Sequence, residues 1–471
     1  MKNQLVWLRN DLRVSDNPAL NNACLTGPTT CIFLIDAAQW QQHDMSPWRL
    51  ALTLRSIDCV SQQLGQLGIK LIIRRCDSFA EAPKLVMECA QELEAKHVSF
   101  NAEIALNEER RDAQVEAALA TRGISCKRYH SFTHLPPGTV TKPDGSGYTV
   151  FTPFKKRWLA HPLALPSPPL AAPEAQGPMV QPAQAPNEIA GIKKTFGAEL
   201  WLAGEIAAQE CLHSFLASRA EHYDKQRDLP LEPGTSQISP HLVSGSISAG
   251  QCLYAAYVAN KHRLYGGDAG IDSWVSELIW REFYNHILAA NPRLSRGEAF
   301  RRETEQLEWN HNSEWLARWQ AGETGFPLVD AGMRQLNTRG WMHNRLRMVT
   351  SQFLVKHLFI DWREGERYFM RNLVDGDLAA NNGGWQWSAS TGTDAVPYFR
   401  MFNPIRQAER FDPSGAFVRA QIPELANAQG KSVFTPWQYT DTSDYVKPIV
   451  DLSKARDSTL AAWKRMRAAQ A

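Results

Sequence analysis

The sequence lacks the marks of a secreted, metal-bound or membrane-embedded protein. Its 8 cysteines lie scattered in the first 252 residues without C-x-x-C spacing, which argues against a disulfide framework or a zinc site. No apolar run approaches the length that spans a membrane. Charged residues between Arg9 and Arg13 interrupt the start before a signal peptide could form. We therefore expect a reduced, cytoplasmic protein without a metal.

Strong net charge is also missing. The formal net charge of the 471 residues is only +2, so any nucleic-acid-binding surface must be local. There is no internal repeat and no coiled-coil heptad, hence no assembly signal, and we expect a monomer. The chain is too long for one hydrophobic core, so at least two domains are expected.

Residues 1–132 alternate short β-branched apolar runs with helical patterns, which predicts a Rossmann-like parallel sheet of α/β type. The predicted strands include residues 5–8, 31–35, 71–73 and 97–100. A helix should begin at Ser46-Pro47 and end near Gly68. The first strand is followed by Arg9-Asn10-Asp11 and not by G-x-G-x-x-G, so a dinucleotide at this turn is not expected.

Eight of the 27 prolines fall between residues 162 and 186, which indicates an extended, exposed linker. From about residue 200 onward helical periodicity dominates. The predicted organisation is an α/β domain at 1–132, an interdomain linker at 133–200 and an all-α domain at 201–471.

Tryptophan is concentrated in the second half, where nine of the 16 indoles lie between residues 274 and 387. Such indoles can be core residues, stacking platforms for bases or electron relays. One helix face should carry four residues at i, i+3, i+4 and i+7: Glu277, Trp280, Arg281 and Tyr284. An acid, a base and two aromatics suit a cavity wall, although an amphipathic helix with a solvated charge pair has the same spacing.

A second segment has the same spacing and places Trp341, Asn344, Arg345 and Met348 on one predicted face. An amide can hydrogen-bond a base edge, Met and Trp can stack, and Arg can hold a phosphate.

Two further segments suggest ligand contact. Residues 234–240 offer a glycine turn and three hydroxyls ahead of a helix, either as a phosphate cradle or as an ordinary helix cap. Residues 375–387 hold two aspartates, two asparagines, a Gly-Gly pair and two indoles within thirteen positions. Packing alone does not explain that combination, and glycine permits close approach of backbone to a ligand.

At these residues the chain resembles the DNA photolyase and cryptochrome family, and more closely its bacterial class I cyclobutane pyrimidine dimer photolyases with a folate antenna. The resemblance runs over nearly the whole chain and is carried by residues 7–13, 107–110, 234–236, 341–345 and 375–393. It implies an antenna domain, a helical domain that buries a U-shaped FAD, and light-driven repair of pyrimidine dimers in damaged DNA.

The resemblance also implies the residues that hold FAD. They are Tyr223, Thr235, Ser236, Ser239, Trp274, Arg281, Trp341, Arg347, Asp375, Asp377 and Asn381. Arg347 and Asp375 would form an ion pair beside the flavin ring, and Asn381 would face its N5. An amide at that place suits a reduced flavin anion, whereas plant cryptochromes carry aspartate and animal ones usually cysteine.

For the lesion and the electron path, the resemblance implies two further sets. Those for DNA are Arg227, Glu277, Trp280, Asn344, Arg345, Met348 and Trp387. Photolyases of the six-four type carry histidines at the places of Asn344 and Met348, so the cyclobutane dimer is favoured. Glu277 would stabilise the dimer radical anion, and Trp385, Trp362 and Trp309 would relay electrons to oxidised flavin. The alternative for Trp309 is a surface-packing indole.

The implied antenna is 5,10-methenyltetrahydrofolate, contacted by His43, Asn107 and Glu108. Ser295-Arg296 replaces the cysteine and lysine expected nearby, so an 8-hydroxy-deazaflavin antenna is the alternative. A cryptochrome would instead show a changed N5 residue, a disrupted dimer pocket or a long tail, and none is seen. A light-independent flavin oxidoreductase and a single-strand-specific relative are the other rival interpretations.

Overall fold

The structure is a computed structural model that describes residues 2–439 and 444–469. The chain forms two compact units. The first comprises Met1–Asp224, Ser236–Pro292 and Val374–Gly376, and the second comprises Lys225–Thr235, Arg293–Leu373 and Asp377–Ala471. The division into residues 1–132, 133–200 and 201–471 stays a prediction.

A five-stranded parallel sheet forms the centre of the first unit. Its strands are β1 Gln4–Leu8, β2 Thr29–Asp36, β3 Lys70–Cys76, β4 His97–Asn101 and β5 Ser125–Tyr129, in the order β3-β2-β1-β4-β5. The predicted Rossmann-like sheet is confirmed. The strand-by-strand prediction did not include β5, an edge strand whose polar sequence SCKRY lacks the apolar signal of the inner strands.

Helices cover both faces of this sheet because successive strand residues point to opposite sides. Val6 and Leu8 join the core on one side, and Leu5 and Trp7 join the core on the other. The helices of the first unit are α1 Pro18–Thr26, α2 Ala37–Gln42, α3 Pro47–Gln66, α4 Ala82–Glu92, α5 Leu106–Ala120, α6 Phe151–Leu159, α7 Gly204–Ser218, α9 Ser239–Ser244, α10 Ala249–Ala259 and α11 Ala269–Ala290, while α8 Tyr223–Gln226 contains the boundary to the second unit.

Helix α3 has the predicted bounds. The Ser46 hydroxyl caps it by accepting a hydrogen bond from the Arg49 N–H at 3.0 Å, and proline occupies the first turn. Gly68 adopts the left-handed φ of +71° just after the helix, a conformation that glycine takes without strain.

Buried polar side chains fill the carboxyl ends of β1 and β4, where the strand order reverses. Asn101 donates to the Asp11 carboxylate at 2.6 Å, and Arg9 forms an ion pair with Asp112 at 2.6 Å. A small cavity of about 20 Å³ remains between these side chains, which is room for about one water molecule. Switch points of this kind often bind nucleotides, but here side chains of the 7–13 segment occupy the space.

The segment 133–200 contains regular structure as well as the proline-rich stretch. Helix α6 buries Phe151, Phe154 and Trp158 on one face, and β6 Glu188–Ile189 pairs with β7 Ile192–Lys193. The proline-rich stretch has no helix or strand and is mostly exposed, as predicted. It is nevertheless hydrogen-bonded to the rest of the first unit, since the Gln176 and Val180 N–H groups donate to carbonyls at the end of α3.

The second unit is helical, which confirms the predicted helical domain. Its helices are α12 Ser313–Ala321, α13 Pro327–Arg339, α14 Asn344–Gln352, α15 Trp362–Asn372, α16 Leu378–Ala389, α17 Pro404–Phe411, α18 Ala416–Gln421 and α19 Leu452–Ala468, with a π-helical turn at Phe353–His357. None of the helices in the described ranges is long and apolar enough to cross a membrane.

Candidate functional site

In the first unit, several of the predicted FAD-binding residues lie around one phenylalanine. The Phe215 ring centroid lies 5.8 Å from that of Tyr223 and 5.1 Å from that of Trp274. The buried Trp274 indole donates to the Ser236 hydroxyl at 3.2 Å. Phe215 belongs to α7, whose sequence carries no motif, so sequence reasoning missed it.

The loop before α9 holds the next pair. Gln237 takes a left-handed φ of +53°, which turns the chain between Ser236 and Ser239. Ser239 is the first residue of α9, and its hydroxyl donates to Asp375 at 2.6 Å. The structure therefore brings Ser239 and Asp375 together. The ion pair of Asp375 with Arg347 stays a prediction.

Helix α11 carries the predicted mixed face. Trp280 stacks on Phe151 of α6, with ring centroids 3.6 Å apart and planes at 8°, and it also stacks on Tyr284 at 5.6 Å. Glu277 lies one turn earlier and is partly exposed. The indole is thus held in a fixed plane by aromatic neighbours, as a stacking platform requires.

The next two residues of α11 contact the loop that follows β5. The Arg281 guanidinium donates to the Phe132 carbonyl at 2.8 Å and lies 4.6 Å over the Phe132 ring. Glu282 is fully buried and accepts from the N–H groups of His134 at 2.8 Å and Leu135 at 3.1 Å. Burial raises the pKa of Glu282 to about 7. Sequence reasoning missed Glu282 because it resembles any charged helix residue.

The three predicted antenna residues form a cluster in the first unit. His43 ends α2, and Asn107 and Glu108 lie in the first turn of α5. His43 lies 3.1 Å from the Asn107 amide and 3.5 Å from the Glu108 carboxylate. Gln39, which was not predicted, donates to Glu108 at 3.0 Å. Burial raises the pKa of Glu108, which reduces the cost of keeping its proton.

In the second unit, α14 carries Asn344, Arg345 and Met348, but Trp341 precedes the helix. The prediction that Trp341 shares their helical face is therefore wrong. Gly340 ends α13 with a left-handed φ of +65°, and His343 caps α14 by accepting from the Arg345 N–H at 3.2 Å. The Gly-Trp-Met-His sequence is thus a break between two helices, which continuous spacing hides.

The charged residues of this region are already engaged. Arg345 forms an ion pair with Asp228 at 2.8 Å and lies 4.3 Å over the Phe411 ring. Arg227 and Thr235 belong to the segment of the second unit that contains Asp228. The Arg347 guanidinium donates to the Met342 carbonyl at 2.8 Å. A phosphate that binds Arg345 would have to displace the Asp228 carboxylate or share the Arg345 guanidinium with it.

Helix α16 presents the most specific segment of the sequence. Asp377 caps it by accepting from the Ala380 N–H at 2.8 Å. The Asn381 amide donates to the main-chain carbonyl of Glu366 on α15 at 2.9 Å, and Asn382 donates to the Glu366 carboxylate at 2.9 Å. Trp387 lies on the same helix, which contacts α14 through the hydroxyls of Ser351 and Ser388 at 2.7 Å.

The three predicted relay indoles belong to one hydrophobic cluster of the second unit. Trp385 and Trp362 are buried, whereas Trp309 packs against the cluster and is partly exposed. Trp319 was not predicted; it is buried and lies edge-on to Trp385 with centroids 6.0 Å apart. The gradient from buried to exposed indoles suits transport of charge to the surface.

Two features of the second unit suggest that a ligand binds beside α16. Among the described residues, the buried indole N–H of Trp385 has no hydrogen-bond acceptor, and buried donors normally have one. A β-carbon on Gly384 would meet no atom within 4 Å, so one side of α16 is open. No three His, Cys, Asp or Glu side chains within residues 2–439 and 444–469 are arranged to hold a metal ion.

The chain thus combines a unit built on a parallel α/β sheet with a helical unit in which indoles cluster. Comparison with known proteins gives the family. Residues 4–174 match the family model for DNA photolyase, and residues 274–465 match that for the FAD binding domain of DNA photolyase. The deoxyribodipyrimidine photo-lyase of Escherichia coli is 42% identical over 99% of both chains.

Solved structures agree with this result. A bacterial class III photolyase from Agrobacterium tumefaciens is 31% identical with a TM-score of 0.86, covering 99% of this chain and 98% of that one. A cryptochrome of Synechocystis is 25% identical with a TM-score of 0.85, covering 98% and 99%. The chain therefore belongs to the DNA photolyase family. The predictions of a photolyase enzyme and of an FAD-binding flavoprotein are confirmed.

Proposed function

We propose that the protein repairs cyclobutane pyrimidine dimers in damaged DNA, using light and bound FAD. The relatives named deoxyribodipyrimidine photo-lyase support this substrate. The observation that carries the proposal is the arrangement on α16, where Asn381 precedes Trp385 by one helical turn and Trp385 shares its cluster with Trp362 and Trp309. An oriented amide beside a graded set of indoles suits a flavin that must be kept reduced.

The residues present fit FAD. In the first unit, Tyr223, Ser236, Ser239 and Trp274 would hold it through hydroxyls and ring contacts. In the second unit, Thr235, Trp341, Arg347, Asp377 and Asn381 would do so. Arg281 and Asp375 complete the proposed set. Bound FAD supplies light-driven electron transfer, and these side chains fix its position and exclude water.

The damaged bases would be flipped out of the base stack of the DNA and held by the protein. Flipping costs a few kcal/mol and less for a damaged pair. Contacts from Arg227 and Arg345 to phosphates offset part of that cost, and Arg345 would exchange Asp228 for a phosphate. Trp280 and Trp387 offer planar surfaces for the extruded bases, with Trp280 already fixed by Phe151.

Glu277, Asn344 and Met348 would contact the dimer itself. Glu277 lies on the α11 face one turn before Trp280, where it can hydrogen-bond a pyrimidine edge and stabilise negative charge that develops on it. Asn344 at the start of α14 offers an amide for a base edge. Met348 adds a polarizable contact one turn later.

The cluster of His43, Asn107 and Glu108 would bind the antenna, 5,10-methenyltetrahydrofolate. A neutral or proton-sharing Glu108 beside an imidazole and two amides offers both donors and acceptors to a planar heterocycle. The alternative antenna, 8-hydroxy-deazaflavin, is an outcome of the same binding test. We further expect the protein to act as a monomer in the cytoplasm.

The decisive experiment follows base absorbance in ultraviolet-irradiated oligothymidine. The purified protein with reduced FAD is incubated with it under near-ultraviolet or blue light and in darkness. We expect recovery of absorbance only in light. No recovery, with FAD bound and reduced, would overturn the repair function and favour a light-signalling role.

A further inference from the structure

Glu366 of α15 is an acid that the sequence did not single out. It holds two consecutive amides of α16, in that its main-chain carbonyl accepts from Asn381 and its carboxylate accepts from Asn382, both at 2.9 Å. No ionisable residue lies within α16, so Glu366 brings an ionisable group to this helix from outside.

The contact with Glu366 decides which way the Asn381 amide points. A main-chain carbonyl can only accept, so the group directed at it must be the NH2 of Asn381. The carbonyl oxygen of Asn381 then points away from Glu366 and can only accept a hydrogen bond. It therefore favours a flavin N5 that carries a hydrogen over one that does not.

The contact with Asn382 is the last hydrogen bond in a chain of side-chain amides, in which each amide accepts from the group before it and donates to the next. The Phe300 N–H donates to Gln386 at 2.7 Å, and Gln386 donates to Asn382 at 2.8 Å. Asn382 in turn donates to Glu366. Because the chain begins at a main-chain N–H, every member has a fixed role, and one oxygen of Glu366 must accept. A proton taken up by Glu366 therefore goes to its other oxygen.

We propose that Glu366 is a positioning residue that fixes the Asn381 amide and, by gaining or losing its own charge, sets the redox potential of bound FAD. This inference rests on the proposed function, in which Asn381 faces the flavin N5. The inference adds the Glu366 carboxyl, which was not among the predicted site residues, as a group that makes the redox potential of FAD depend on pH.

The surroundings of Glu366 support a change of charge near neutrality. Burial is the largest influence and raises the pKa of Glu366 to about 7. Asn382, Arg363 and Arg367 favour the carboxylate, and Asp361 opposes it. The arginines act weakly because Arg363 pairs with Glu305 and Asp361, and Arg367 pairs with Glu364. Of the elements that contact Glu366, α16 contributes amides and the capping Asp377 at its start.

The sign of the effect follows from like-charge repulsion. Below the pKa Glu366 is neutral and does not oppose a reduced, anionic flavin. Above it the carboxylate makes the reduced flavin less favourable, so the potential falls more steeply with pH.

The test is a redox titration of the FAD-loaded protein from about pH 5 to about pH 9, two units on either side of the pKa. We expect an additional downward bend near pH 7 in the wild-type protein. Glu366→Gln keeps an acceptor for Asn382 but cannot ionise, so the bend should be lost and the potential at high pH should rise. Glu409→Gln, at an exposed acid of α17, should leave the curve unchanged.

Two outcomes separate the inference from its premise. A straight wild-type curve, or a bend that survives in Glu366→Gln, would overturn the role of Glu366; the wild-type curve decides even if the variant loses FAD. Asn381→Leu should shift the potential at every pH. If it does not, Asn381 does not face the flavin and the proposed site itself is wrong.

Discussion

Gly365 on α15 lies against the indole of Trp385 on α16, so close that a β-carbon at position 365 would overlap the six-membered ring. The indole of Trp385 thus occupies the space that a side chain at position 365 would need. We predict that Gly365→Ala displaces the indole and lowers the free energy of unfolding by about 1–3 kcal/mol, the usual cost of overpacking a core.

The check is denaturant unfolding of the variant beside Gly384→Ala. Gly384 is also helical, but its added β-carbon meets no atom within 4 Å, so we expect equal or slightly higher stability there. Equal losses in both variants would show that helix geometry, and not contact with Trp385, makes glycine necessary at position 365.

Trp309 is the partly exposed member of the relay cluster, and we predict that Trp309→Phe blocks photoreduction of oxidised FAD. Phenylalanine fills much of the space but is far harder to oxidise than an indole. Repair by protein that already holds reduced FAD should continue. Flavin absorbance during illumination with an external reductant measures the first effect, and dimer repair measures the second.

Trp315→Phe is the matched control, because Trp315 packs against the same cluster and is also partly exposed. It should photoreduce normally. Normal photoreduction in Trp309→Phe would remove Trp309 from the path and direct attention to Trp319, which contacts Trp385 edge-on.

The sequence predicted those parts of the molecule that depend on local pattern. The inner strands and helix α3 show their own apolar periods and caps, and they lie where expected. Edge strand β5 is half solvated and lacks an apolar period, so it was missed. Trp341 was placed on a helix because spacing alone does not reveal the break at Gly340.

Long-range contacts explain what the sequence could not provide for the site. The amide of Asn381 could be named from the family resemblance, but its orientation depends on the Glu366 carbonyl fifteen residues away. Glu282 and Glu366 appear in the sequence as ordinary helix acids, and only burial distinguishes them. The pairing of Arg345 with Asp228 likewise joins distant segments.

Glu277 is predicted to act on the dimer after binding. Glu277→Ala should retain FAD and bind damaged DNA, but repair fewer dimers per absorbed photon, because it removes the hydrogen bond to the charged pyrimidine. Glu277→Gln, which can still donate, should recover part of the yield. The measurement is the repair quantum yield at saturating protein, and an unchanged yield in the alanine variant would exclude Glu277 from the chemistry.

Glu108 is predicted to contribute to antenna binding through its contacts with His43 and Gln39. Glu108→Gln should weaken binding of 5,10-methenyltetrahydrofolate about tenfold, or about 1.4 kcal/mol, as expected when the carboxyl proton and the hydrogen bond that shares it are lost. FAD content should not change. Fluorescence titration with the folate, and separately with 8-hydroxy-deazaflavin, measures both affinities.

Glu109→Gln provides the control for that titration. Glu109 is the next residue of α5, but it is exposed and pairs with Arg128 at 2.7 Å. Its substitution should leave antenna binding intact. Tight folate binding by Glu108→Gln would place the antenna elsewhere, and selective binding of the deazaflavin would change its identity.

Glu282 should make the stability of the first unit depend on pH. Burial raises the pKa of Glu282 from 4.5 to about 7, so the unfolded chain loses this proton at lower pH than the folded protein. The stabilisation is complete below about pH 4.5 and is lost as the pH rises through about 7. Its size is on the order of 3 kcal/mol, from 1.36 kcal/mol per pKa unit.

The measurement compares wild type with Glu282→Gln in denaturant unfolding at about pH 5, near the lower end of this window where most of the stabilisation remains, and at about pH 8, above the window. The glutamine cannot ionise, and it offers one acceptor where the carboxyl serves the N–H groups of both His134 and Leu135, so the variant should be less stable throughout. The gap between the two proteins should narrow at the higher pH. Glu210→Gln, at an exposed acid of α7, should show no such change. A gap that stays constant with pH would mean that Glu282 is already ionised in the folded protein at pH 5, held as a carboxylate by the two N–H groups it accepts from.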